Sequence, residues 1–365
     1  MIRLGVALGL AIAGCGCGGS PRTAEPPSES ERFGPLFGWV DPGATALSVA
    51  VHTVPFGDRG TDHPMTYHYT VRSEPSGVTA DLHAVVIDGW DAYAAGDDGI
   101  VLHRTDKTGW TREAVPTEHR LRALARDNAS GLYAVGDAGT VLRRANGAWV
   151  VEPVPTTADL YDVALSLTSQ ILYAVGDHGT LLERRDGTWQ AIASNTEADL
   201  RRFDGSIAVG RDGAIISCVR WGRDRMEPGH RLACVPQPSP THADLRAMGG
   251  EYTAWRVYGA EGTVLRVQPH SPLDIALDAP IASGATISAA GDNSWYASVQ
   301  IVTILVGTGG QIEFAGTPRT QLAIAGAPDL LGVASAATDA FVVGAGGTIV
   351  HLQSPDIVIP IAHEV

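Results

Sequence analysis

Short aliphatic runs broken by paired glycines recur along most of this chain as near copies. Leu132-Tyr133-Ala134-Val135-Gly136-Asp137-Ala138-Gly139-Thr140-Val141-Leu142 returns as Leu172-Tyr173-Ala174-Val175-Gly176-Asp177-His178-Gly179-Thr180-Leu181-Leu182, and an earlier copy runs from Ala92 to Leu102. Each copy reads as an aliphatic run, a Gly-x-x-Gly turn and a second aliphatic run. The runs are too short for helices, and the glycines between them accept positive φ, so the unit predicts a β-hairpin. Looser copies carry Gly210-Arg211-Asp212-Gly213, Gly259-Ala260-Glu261-Gly262, Gly307-Thr308-Gly309-Gly310 and Gly344-Ala345-Gly346-Gly347.

The first glycines fall at 96, 136, 176, 210, 259, 307 and 344, at intervals of 40, 40, 34, 49, 48 and 37. Seven units of about 42 residues result, the length of a four-stranded propeller blade that must stack on its neighbours to bury its faces. Upstream of the hairpins, Ala-Asp-Leu recurs at Ala80-Asp81-Leu82, Ala158-Asp159-Leu160, Ala198-Asp199-Leu200 and Ala243-Asp244-Leu245, with Pro328-Asp329-Leu330 as a variant. Each opens a short apolar stretch that we read as the innermost strand, with the hairpin as the two middle strands. Downstream, Gly147-Ala148-Trp149, Gly187-Thr188-Trp189 and Gly109-Trp110 begin the outer strand, where large aromatics would pack between blades. The strand Tyr67 to Arg72 precedes the first full unit. It is expected to pair into the last blade and close the ring, since an open ring leaves an exposed edge.

Composition agrees with an all-β fold. Glycine reaches 43 of 365 residues, 44% of residues are hydrophobic and only 18% are charged, a mix suited to many short strands and tight turns. Asp plus Glu total 40 against 26 Lys plus Arg, and the net charge of −14 opposes binding to nucleic acid phosphates.

The N-terminus changes the expected compartment. Arg3 precedes an apolar run from Leu4 to Ala13 that is too short to cross a bilayer of roughly 30 Å as a helix. The run ends in Ile12-Ala13-Gly14-Cys15, which resembles a bacterial lipobox; an ordinary cleaved signal or a short anchor is the alternative. The expected organisation is a lipoprotein signal peptide over residues 1–14, a lipidated flexible tether over 15–36 beginning at Cys15, and a single propeller over 37–365. Gly16 is not the Asp that resembles an inner-membrane retention signal, so the outer membrane or cell surface is the expected location, reached through the N-terminal lipid alone. An exported chain permits disulfides. Cys218 and Cys234 lie on two apolar segments around the polar loop Gly222 to Gly229, and antiparallel pairing would bring them to bridging distance. The other reading, a redox pair, lacks the close spacing such motifs show.

On the residues Tyr133-Ala134-Val135-Gly136-Asp137-Ala138-Gly139-Thr140, their copies and the Gly-x-Trp that follows, the chain resembles the propellers related to the photosystem II assembly factor of cyanobacteria and plastids. The resemblance covers roughly residues 80 to 350, closely in the first three units and loosely afterwards. It implies an assembly or interaction factor rather than an enzyme, with a protein partner. Nothing in the residues points to photosystem subunits. The Asp-box of sialidase-like propellers, Ser-x-Asp-x-Gly-x-x-Trp, is a cousin pattern that no unit reproduces cleanly.

Candidate chemistry is sparse. Asp97, Asp137 and Asp177 recur once per unit, as structural residues do, and are read as turn aspartates capping their own backbone. The histidines, His63 and His68 among them, show no metal-ligand spacing, and Gly-x-x-Gly lacks the helix and Lys-Ser/Thr of a phosphate loop. No cofactor, metal or catalytic residue is expected, and a monomer is. One position stands out: the residue after the inner-strand leucine is His83, Arg122, Tyr161, Arg201 and Arg246 in successive units. Radial repetition would gather these at one end of a central channel, where guanidinium groups suit an anionic ligand or an acidic protein segment. Alternatively each arginine pairs with a neighbouring inner aspartate, such as Asp159, Asp199 or Asp244, and holds blades together. The opposing class is a sialidase-like hydrolase, a polysaccharide lyase or a glycan binder. A deep pocket with carboxylates, Tyr and Arg would favour the enzyme, and an arginine-lined mouth on a flat face would favour binding.

Overall fold

Seven four-stranded antiparallel sheets stand in a ring, the first six running in chain order from an innermost to an outermost strand. The computed structural model describes residues 37–38, 47–53, 65–105, 107–127, 131–166, 169–220, 232–251, 254–268, 273–281, 284–293, 302–315, 320–336 and 339–353. All of them belong to the second of two units in the chain, residues 34–365. The expected signal peptide over 1–14, Cys15 with the tether over 15–36, and residues 221–231 lie outside the described residues.

The innermost strands are Leu82–Asp88, Leu121–Arg126, Leu160–Leu165, Leu200–Phe203, Leu245–Glu251, Ile287–Asn293 and Leu330–Ala336. Each touches the next, and the seventh touches the first, so the ring is closed. Closure comes from the N-terminus: Met65–Ser73 pairs antiparallel with Thr348–Gln353 and supplies the outer strand of the last blade. Two strands exceed the expected four per blade. Leu47–Thr53 pairs with Met65–Ser73 at the edge of blade 7, and Phe37–Gly38 lies parallel to Thr320–Ala325 at the edge of blade 6.

Burial explains why no blade stands alone. The residues that open the inner strands, Leu82, Leu121, Leu160, Leu200, Leu245, Ile287 and Leu330, are fully buried, each worth roughly 1.5–3 kcal/mol of transfer free energy. Among the described residues the apolar side chains fall into seven clusters, and each cluster draws on two adjacent blades. The core is a set of interfaces between sheets.

The hairpin glycines serve the same stacking. Gly96 has extended backbone, but a Cβ there would overlap the carbonyl oxygen of Asp81 at the start of its own blade. Gly99 sits at φ 60°, and its Cβ would overlap the carbonyl of Thr117, which leads into the next blade. The Ala-Asp-Leu aspartates cap the turn of the preceding blade. Asp159 accepts the backbone N–H of Ala138 at 2.9 Å, Asp199 that of His178 at 3.1 Å, and Asp81 closes the circle on Gly346 at 2.8 Å.

A second device locks three junctions. Between blades 2 and 3, Glu152 accepts hydrogen bonds from Nε and Nη2 of Arg184 and from the indole N–H of Trp189, each at 2.9 Å, while Arg184 lies over Tyr133. Glu113, Arg144, Trp149 and Tyr93 repeat this between blades 1 and 2. Glu74, Arg104, Trp110 and Phe341 repeat it between blades 7 and 1. The outer tryptophans therefore pack between blades as expected, and each brings its N–H to a carboxylate of the preceding blade. Cys218 and Cys234 face each other across the outer strands of blade 4, with Cα atoms 4.0 Å apart, and are bridged.

Candidate functional site

Every inner strand slips register by one residue immediately after its buried leucine or isoleucine. The unpaired residue of each slip is His83, Arg122, Tyr161, Arg201, Arg246, Ser288 or Leu331. A β-bulge bends the strand and re-aims the extra side chain, here toward the channel. All seven line one cavity of about 480 Å³ at its mouth. The five residues picked out from the sequence are thus brought together, and blades 6 and 7 complete the circle with uncharged side chains.

Carboxylates in the same layer divide these residues into two groups. His83 meets Asp97 at 2.8 Å, Arg122 meets Asp137 at 2.5 Å and Asp159 at 3.4 Å, and the Tyr161 hydroxyl donates to Asp177. Arg201 and Arg246 reach their aspartates, Asp199 and Asp244, only at 3.7 and 3.5 Å. Asp97, Asp137 and Asp177 are therefore structural, but their side-chain hydrogen bonds run to the channel residue of the same blade and not to their own backbone. The Gly-x-x-Gly turn closes through its backbone alone, which leaves the side chain free to reach inward.

Protonation follows the same contacts. Burial would raise the Asp97 carboxyl, but hydrogen bonds from His83 and Arg120 outweigh it and hold the group below its ordinary range. Burial and the bond to Asp177 push the Tyr161 hydroxyl up, keeping it protonated. Tyr161 is flanked by two guanidinium groups, Arg201 at 3.6 Å and Arg122 at 4.7 Å from the ring centroid.

Two further residues of the mouth escape sequence reasoning. Arg211 takes the turn position that Asp97, Asp137 and Asp177 hold in blades 1 to 3, and pairs with Asp199 at 2.9 Å. The signal was present in Gly210-Arg211-Asp212-Gly213, where a basic residue replaces the acidic one. Arg202 also lines the cavity and bonds the buried Asp162 of blade 3 at 3.0 Å; burial raises the Asp162 carboxyl against the opposing pull of this arginine. The mouth is consequently not a uniform basic ring. Carboxylates predominate on blades 1 to 3, guanidinium groups on blades 4 and 5, and the bulge residues of blades 6 and 7, Ser288 and Leu331, are uncharged.

No family model matches the chain, and no curated protein matches it in sequence. Solved structures do match in fold. YCF48 from Cyanidioschyzon merolae is 16% identical with a TM-score of 0.55, over 78% of this chain and 98% of that one. YCF48 bound to D1 peptide is 15% identical with a TM-score of 0.59, over 83% and 98%. Virginiamycin B lyase from Staphylococcus aureus is 11% identical with a TM-score of 0.61, over 78% and 99%. At such identities the likeness establishes the β-propeller fold, which carries many unrelated functions.

Proposed function

We propose that this chain is an exported, lipid-anchored propeller that binds an acidic segment of a partner protein at the guanidinium-rich side of its channel mouth. The observation that carries this reading is the pair Arg201 and Arg246. Bulges aim both into one cavity, where their own carboxylates stand beyond good hydrogen-bonding distance while other channel residues are tightly held. Guanidinium forks so placed keep donors for a carboxylate. That a propeller of this shape has been solved with a peptide bound supports a protein ligand. Anchoring through Cys15 at the outer membrane or cell surface rests on the lipobox and would confine the protein to the compartment of membrane-associated partners.

A hydrolase reading draws on the same cavity, since Tyr161, arginines and Asp244 line it together. A tyrosine nucleophile needs a hydroxyl that ionises readily, whereas Tyr161 is pushed the other way. Binding is the better account.

The test is quantitative co-purification of the lipidated full-length chain from native membranes, beside the double variant Arg201→Ala with Arg246→Ala. A partner recovered with the parent and lost with the variant, at unchanged thermal unfolding, supports the reading. Equal recovery from both sinks it, and turnover of a fluorogenic sialoside would replace binding with catalysis.

A further inference from the structure

Resting on that reading, we infer that the cavity recognises a carboxylate carried beside an aliphatic side chain. The argument is the unequal distribution of chemistry around the ring. Next around the ring from the arginines of blades 4 and 5, the wall is made by Ser288, Ala289 and Ala290 of blade 6 and Leu331, Gly332 and Val333 of blade 7. Six of the seven bulge positions present a polar or charged group; Leu331 is the exception. It places a partly exposed aliphatic side chain at the channel mouth, where a ligand's own aliphatic group would cover it.

Small residues beside it leave room. Gly332 cannot carry a side chain, because a Cβ there would meet the carbonyl oxygen of His83 at 2.6 Å and the Val343 side chain at 3.0 Å. Gly332 is thus packed tightly against blade 1 and adds no side chain between Leu331 and Val333. A ligand anchored by its carboxylate on Arg201 and Arg246 would lay its neighbouring side chain against Leu331 and Val333. Tyr161 stacks on Arg201 and fixes the plane of that guanidinium, which makes it a positioning residue for the anion.

Such a ligand has two sources: the last residue of a polypeptide, with its free α-carboxylate, or a small branched carboxylic acid. Fluorescence titration of the full-length protein separates them. The probes are a labelled hexapeptide Gly-Ser-Gly-Ser-Ala-Val with a free C-terminus, the same peptide amidated, the version ending in Ser, and N-acetylvaline. The free valine-ending peptide should bind at least about tenfold more tightly than the amidated one, the measure of a charge-assisted pair. It should exceed the serine-ending peptide by about tenfold, as burial of one aliphatic side chain predicts. Leu331→Ser, which copies the Ser288 of the neighbouring blade and so should fold, should bring valine- and serine-ending peptides to equal affinity. N-acetylvaline binding as tightly as the hexapeptide assigns the site to a small acid; binding far more weakly assigns it to a chain terminus.

Valine- and serine-ending peptides that bind the parent equally well, still in dependence on Arg201 and Arg246, overturn the aliphatic wall and leave the acidic-segment reading standing. Binding that ignores both amidation and the two arginines overturns both.

Discussion

The junction between blades 2 and 3 and the junction between blades 3 and 4 solve one packing problem with different chemistry. In the first, Arg184 faces Trp189 across the outer strands, and Glu152 of the preceding blade binds both. In the second, the cross-strand pair in the same register is Cys218 and Cys234, and the position of Glu152 is taken by Ile192. The aromatic under the lock is retained, Tyr133 in one case and Tyr173 in the other, where Phe203 meets Tyr173 edge-on at 5.1 Å. A polar lock requires all its members, because a guanidinium left without its carboxylate beside a buried aromatic is costly. Once the arginine is gone, the glutamate has no reason to stay, and a covalent, apolar closure replaces the set. The slots change together across two blades.

Breaking the covalent closure should have the largest effect. Replacing Cys218 and Cys234 by Ala is expected to lower unfolding free energy by about 3 kcal/mol, the constraint expected of a bridge spanning this many residues. Denaturant titration measures it, and a change below about 1 kcal/mol would show that Ile192, Tyr173 and Phe203 carry that junction without the bridge. Next, Glu152→Gln should cost about 2 kcal/mol, since Arg184, Arg143 and the Trp189 indole all lose a charged acceptor. Trp189→Phe keeps the edge-on contact with Tyr133 but removes one hydrogen bond, for about 1 kcal/mol. Combined with Glu152→Gln it should cost less than the two singly, because both remove the same bond; strict additivity would break the picture of a single lock.

The smallest expected effect is a pH dependence at the junction of blades 7 and 1. Burial would raise Glu74, but hydrogen bonds from His351 and Arg104 overcome it and bring it from 4.5 to about 2. Its contribution is therefore complete above pH 4.5 and is lost as pH falls toward about 2, amounting to about 0.5 to 1 kcal/mol by pH 4 after solvent screening. His351 runs the opposite way. Burial would lower it, yet bonds to Asp339 and Glu74 raise it above 6.5, so its contribution is present below pH 6.5 and lost as pH rises through the raised value. Its Nδ1 faces both Arg72 at 2.7 Å and Glu74 at 3.0 Å, so protonation exchanges an acceptor's partner for a donor's. Thermal unfolding across pH should show both flanks, and His351→Gln should abolish the upper one and weaken the lower, because His351 supplies one of the bonds that lower Glu74.

The repeated turns were legible because their constraints are local to each unit and admit few residues: a Cβ at Gly96 would strike backbone in the same blade. The lock tryptophans were legible too. Their glutamates and arginines recur as regularly but went unread, since Glu113 acts on the blade after its own, and pattern within one unit says nothing of a partner in the next. The five channel positions were found from radial repetition, while the division among them was not. Nothing in the order of residues tells that Asp137 reaches Arg122 at 2.5 Å and Asp199 holds off from Arg201 at 3.7 Å. The one-residue slip is common to both blades; what differs is the turn position, Asp137 beside Arg122 but Arg211, itself paired with Asp199, beside Arg201.

Ring closure by Met65–Ser73 sets an order of events during synthesis. This strand is made early, but its partner Thr348–Gln353 is among the last described segments to leave the ribosome. For that whole interval its hydrogen-bonding edge has no native mate, and the loop to be closed spans nearly the entire chain. Blades 1 to 3, with their near-identical hairpins and matched locks, can stack while synthesis continues. The final blade cannot, so the time between its synthesis and the capture of the waiting N-terminal strand is when the chain is most open to pairing with a neighbour.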